Sequence, residues 1–137
     1  MTKILTITSG KGGVGKTSIS LNLSLSLAQK GFKVCLFDAD LGLANVNILT
    51  GIYPQYDLES VICEKKSIDE ILIKNYHGLD IIPGSSGVQK LADLSENQSA
   101  ELIKKLMELR NYDYLVFDTS AGISCQVLSF CLASDEI

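Results

Sequence analysis

Four short apolar runs punctuate the chain, each closed by an acid, a proline or a glycine loop. Ile4–Thr8 is the first, short and β-branched, and it leads into glycines. Lys33–Asp38 (Lys-Val-Cys-Leu-Phe-Asp) is the second, with an acid at its end. Leu79–Ile82 is the third, stopped by Pro83-Gly84. Tyr114–Asp118 is the fourth, again ending in an acid. Near-continuous apolar runs of this length predict strands covered on both faces, as in a parallel sheet. Parallel strands need crossovers, so helices are expected between them and on both faces. The predicted class is α/β with a mostly parallel sheet.

The best-marked helix surrounds residues 95–110. Ser95 and Gln98 have the spacing of a capping box, and Leu102, Ile103, Leu106 and Met107 then share one face. Shorter helices are predicted over Ser67–Ile73 and Ile123–Leu132. One segment is ambiguous. Ile19, Leu21, Leu23, Leu25 and Leu27 alternate with polar residues, a pattern that ordinarily means a half-buried strand. A helix over 17–29 is predicted nonetheless, because the preceding loop requires a helix N-terminus at this point. Lys30-Gly31 supplies its end. Ile19, Leu23 and Leu27 are expected on one face, with the serines allowing close packing.

Composition narrows the class. The chain has 137 residues, 46% apolar and 20% charged, which suits a folded soluble domain. Lys plus Arg is 12 against 16 for Asp plus Glu, a net charge of −4. Residues 1–70 balance at seven and seven, so the acidic excess of nine over five lies in 71–137. No basic patch stands out, so direct nucleic-acid binding by this stretch is not expected. The four cysteines form no C-x-x-C pair and read as thiols of a reducing cytosol. No apolar run approaches the ~18 residues that span a bilayer.

The glycines carry the chemistry. Gly10-Lys11-Gly12-Gly13-Val14-Gly15-Lys16-Thr17 satisfies G-x-x-x-x-G-K-[ST], with Ser18 following. In such a loop backbone N–H groups turn inward around phosphate oxygens, and the next helix aims its positive end at the same anion. Lys16 is expected at the β- and γ-phosphates of ATP, and the Thr17 hydroxyl on Mg2+. Gly10, Gly12 and Gly15 also fit the dinucleotide fingerprint, with Asp38 near the interval of a ribose contact. Lys16-Thr17 directly after the last glycine favours a nucleoside triphosphate over NAD.

Three acids stand at strand ends, where ligands of parallel α/β sheets bind. Asp38 and Asp40 flank Ala39 after the second run, and Asp118 ends the fourth. An apolar strand ending in Asp beside a phosphate loop has the Walker B form.

A second lysine, Lys11, lies inside Lys11-Gly12-Gly13-Val14-Gly15-Lys16-Thr17. The pattern resembles the deviant Walker A motif of the MinD/ParA group of P-loop ATPases. The resemblance extends to Asp38-Ala39-Asp40-Leu41-Gly42-Leu43-Ala44-Asn45, similar to that group's switch I, and to Asp118-Thr119-Ser120-Ala121-Gly122-Ile123, similar to its switch II. Within the group, Ile82–Gln89 leading into Leu91–Ser95, and Ala121–Ser124 followed by Val127–Phe130, resemble the flagellar-number regulators of the FlhG/FleN type.

The resemblance implies an ATP-hydrolysing dimerisation switch that regulates flagellar number and placement. Cell-division and DNA-partition ATPases of the same group are the alternative, as is an inactive remnant acting as a binding module. It implies that two subunits close face to face over ATP. Lys11 would reach the partner's phosphates, Asp40 would position or activate the attacking water, and Thr17, Asp40 and Asp118 would hold Mg2+, Asp118 through water. Flagellar assembly proteins or a GTPase are the implied partners. The location implied is cytoplasmic, with peripheral contact at the inner membrane through a C-terminal tail. Residues 1–137 are expected to be the N-terminal part of a single P-loop ATPase domain, since the chain stops where the next sheet strand would begin.

Overall fold

The computed structural model describes residues 1–39, 51, 56, 58–63, 66–84 and 95–137. Five strands form one sheet: β1 (Lys3–Ile7), β2 (Val34–Ala39), β3 (Ile73–Tyr76), β4 (Leu79–Ile82) and β5 (Tyr114–Thr119), in the order β1-β5-β2-β4-β3. β1 pairs parallel with β5, β5 with β2, and β2 with β4. Among the described strands only β3 runs antiparallel, against β4. The α/β class with a mostly parallel sheet holds. The helices are α1 (Lys16–Gln29), α2 (Leu58–Cys63), α3 (Ile68–Ile71), α4 (Glu96–Met107) and α5 (Cys125–Ala133).

The strand alternation sends side chains to two cores. On one face Val34, Leu36, Leu79, Ile81 and Val116 pack under α1 through Leu21. On the other Cys35, Phe37, Leu115 and Phe117 meet Leu58, Val61, Ile68, Leu102, Leu106 and Phe130 from α2 to α5. Phe37, Phe117 and Phe130 interlock there, with ring centroids 5.5–5.7 Å apart. Each such buried side chain contributes about 1.5–3 kcal/mol of hydrophobic free energy. Among the described residues no helix is long and apolar enough to cross a membrane.

The structure corrects three details of the sequence reading. α1 is a helix, as the loop motif requires, but its inward face is Ser20, Leu21 and Ser24, while Ile19 is 57% exposed. The helix predicted over Ser67–Ile73 ends at Ile71, and the chain turns into β3. Met107 lies half exposed, so the inward face of α4 is Leu102 and Leu106 with Ile103 at its margin.

On the outer side of β1 the chain's last residues begin to pair. Leu5 and Glu136 form an isolated parallel bridge, and the Thr6 N–H donates to the Glu136 carbonyl at 2.9 Å. The Asp135 carboxylate accepts from the Ile4 N–H at 2.7 Å.

Candidate functional site

Because β1, β2, β4 and β5 run the same way, their C-terminal ends share one sheet edge. The register aligns Ile7, Asp118 and Asp38 in a row across β1, β5 and β2. The glycine loop leaves β1 at this edge and enters α1. Both acids of the row are fully buried.

Gly15 is the residue before α1, with φ 88° and ψ 19°. That left-handed conformation suits glycine and disfavours a residue with a Cβ. The Ile19 N–H donates to the Gly15 carbonyl at 3.0 Å, so the first turn closes directly on the loop. Among the described residues no side chain caps this helix end. Its first N–H groups lack intrahelical partners and have the arrangement that receives an anion. Lys16 and Thr17 form the first turn, half-buried, with Ser18 exposed after them, and Gly10, Lys11, Gly12, Gly13 and Val14 are exposed in the loop.

The segment after β5 folds against the loop. The Gly122 N–H donates to the Ser9 carbonyl at 2.9 Å, and the Thr119 hydroxyl donates to the Ile7 carbonyl at 2.8 Å. A Cβ on Gly12 would lie 3.8 Å from that of Ala121. Asp118 is bound from behind: the Ser20 hydroxyl lies 3.1 Å from its Oδ1. Gly84, just past β4, touches Asp38, for a Cβ there would stand 3.0 Å from the Asp38 carbonyl oxygen and 3.1 Å from its Cγ.

The structure thus brings the loop, Lys16, Thr17, Asp38 and Asp118 to one edge. Asp40, the rest of the motif through Asn45 and residues 85–94 lie outside the described residues. The donors gathered here, a threonine hydroxyl and two carboxylates, are hard oxygen ligands of the kind Mg2+ takes. The residues present therefore fit a Mg2+-nucleotide. Sequence reasoning missed Ser20 and Gly84. Ser20 carried a faint signal, as a polar residue in phase with Thr17 and the buried stripe of α1.

The opposite sheet edge has a different character. Arg110, the chain's one arginine, lines a cavity there with Gly31, Lys33 and Asp113. The Tyr112 hydroxyl donates to Asp80 Oδ2 at 2.7 Å. Burial, reinforced by Asp80, pushes the Cys35 thiol far above its ordinary pKa, which marks a structural thiol. A further cavity of about 310 Å³ lies between α2 and α4, lined by Val61, Leu102 and Lys105.

Residues 2–137 match the family described as an AAA domain. The chain is 44% identical over 136 residues to the antiactivator FleN of Pseudomonas aeruginosa, covering 98% of this chain and 49% of that protein. It is 41% identical to the flagellum site-determining protein YlxH of Helicobacter pylori, covering 98% and 46%. Among solved structures it superposes on the septum site-determining protein MinD of Pyrococcus horikoshii, complexed with Mg-ADP, with a TM-score of 0.84 and 30% identity over 98% of this chain and 56% of that one. The chain spans about half the length of the curated relatives it matches. With its glycine loop set between β1 and α1, and Asp38 and Asp118 aligned beside that loop, the chain belongs to the MinD/ParA family of P-loop ATPases.

Proposed function

We propose that this chain binds ATP with Mg2+ in the glycine loop and forms part of an ATP-driven dimerisation switch regulating flagellar number and placement. The register row Ile7, Asp118 and Asp38 carries the nucleotide reading, because it sets two buried acids beside the end of β1 from which the loop departs. The flagellar reading is supported by FleN and YlxH. Cell division is the second reading, favoured by the likeness to MinD. Residues 1–137 would form the N-terminal part of a single ATPase domain, consistent with the half-length coverage of those relatives.

In this reading the N–H groups of Gly10, Gly12, Gly13, Val14, Gly15 and Ser18 surround the phosphates. Lys16 neutralises the β- and γ-phosphate oxygens. Thr17, Asp40 and Asp118 would hold Mg2+, and Asp38 would border the phosphates. The ion, when bound, offsets charge that develops on the phosphates during transfer. Asp40 orients the attacking water. Arg110 sits at the far sheet edge and offers no arginine in cis. Lys11, exposed in the loop, would instead reach the phosphates of a second subunit. Flagellar assembly proteins or a GTPase would read the dimer, at the cytoplasmic face of the membrane.

Light scattering with Mg2+ and ATP tests the switch. The dimer fraction should rise with ATP and fall to the nucleotide-free level in Lys11→Ala, while that variant still binds ATP. An unchanged dimer fraction in Lys11→Ala removes the lysine from this role.

A further inference from the structure

Ser20 is one of two serines on the buried face of α1. It is fully inaccessible, beside the core of Leu21, Leu36 and Val116. A hydroxyl placed there is unfavourable unless it bonds. It has two acceptors within reach: the Lys16 carbonyl at 2.9 Å and Asp118 Oδ1 at 3.1 Å. One hydroxyl proton serves both, and the bond to a carboxylate is the stronger kind. Ser24, one turn on, is as deeply buried, but its hydroxyl donates to the Ser20 carbonyl at 2.7 Å. The two serines are therefore alike in burial and in bonding back along the helix. Of the two, Ser20 also bonds an acid of the site, at Asp118 Oδ1.

We propose that Ser20 is a positioning residue for the metal-bound nucleotide: its hydroxyl fastens the Asp118 carboxylate to the helix that carries Lys16 and Thr17. The phosphate-binding turn and the β5 acid then keep one spacing, which metal binding needs because it draws on Thr17 and Asp118 together. This rests on the Mg2+-ATP reading of the site. Ser20 would contribute to affinity for nucleotide with metal and little to affinity for nucleotide without it.

The test is a calorimetric titration of ATP, with Mg2+ and with EDTA, into the wild-type chain and into Ser20→Ala, Ser20→Cys and Ser24→Ala. In the wild type, Mg2+ should strengthen ATP binding. Ser20→Ala should lower that enhancement about tenfold, the weight of one hydrogen bond to a charged group. Ser20→Cys keeps the side-chain volume with a weak donor, and should behave as Ser20→Ala does. Ser24→Ala should keep the full enhancement, although it removes a buried serine from the same helix face. Wild-type enhancement in Ser20→Cys or Ser20→Ala overturns the proposal, as does an equal loss in Ser24→Ala. A wild-type chain that binds ATP without any Mg2+ enhancement overturns the underlying site reading instead, and the role of Ser20 with it.

Discussion

Gly84 lets β4 end against Asp38. A Cβ at this position would meet the Asp38 carbonyl oxygen at 3.0 Å and Cγ at 3.1 Å, both closer than ordinary contact. The neighbouring atoms belong to a fully buried residue of β2 and have little room to yield. Gly84→Ala should therefore destabilise the fold by about 1–3 kcal/mol, the usual cost of overpacking. Urea denaturation would show a lower midpoint, and an unchanged midpoint would mean that Asp38 can move aside. At this scale the sequence was readable where chemistry demands a fixed spacing. The loop from Gly10 to Thr17 and the acid Asp118 stand out by residue type alone. Ser20 and Gly84 do not, because their roles come from partners 98 and 46 positions away in the chain.

Among the elements, α1 shows how a strand-like pattern can fold as a helix. Its polar residues bond back by one turn: Ser20 to the Lys16 carbonyl, Asn22 to that of Ser18 and Ser24 to that of Ser20. Those bonds satisfy hydroxyls and an amide without water, so serine can face the sheet and Ile19 can face outward. The helix follows directly on Gly15, and its buried face is Ser20, Leu21 and Ser24, not its row of leucines. β3 was hidden for another reason. Ile-Lys-Asn-Tyr has little strand pattern of its own, and it takes its form from pairing with β4. The Asp80 carboxylate accepts the Asn75 N–H at 3.0 Å, where the backbone is left-handed at φ 60°. The start of α4 was legible because capping is local. The Ser95 hydroxyl accepts from the Gln98 N–H, and the Gln98 side chain accepts from the Ser95 N–H. Ser95→Ala should cost about 1 kcal/mol of stability, read as a shift in the denaturation midpoint. A loss below a few tenths would show that Glu96–Met107 is held by packing of Leu102 and Leu106 alone.

Over the whole molecule, one sheet separates two cores and presents one chemical edge. α1 covers the face that carries Val34, Leu36 and Asp38, while α2 to α5 cover the other. Strand direction and register place Asp38 and Asp118 beside the loop, at the edge where a parallel sheet inferred from four apolar runs expects them. The pairing order β1-β5-β2-β4-β3 could not be read from those runs, since it depends on which strands meet after the crossovers. The central claim is that this edge holds a nucleoside triphosphate through Lys16. It is tested by titrating ATP with Mg2+ into the wild-type chain and into Lys16→Ala, with NADH as a competitor. The account predicts saturable one-to-one binding that NADH does not displace. It also predicts affinity about a hundredfold weaker in Lys16→Ala, as expected when a charged partner of a desolvated phosphate is removed. Equal ATP affinity in the two proteins, or displacement of ATP by NADH, would contradict it.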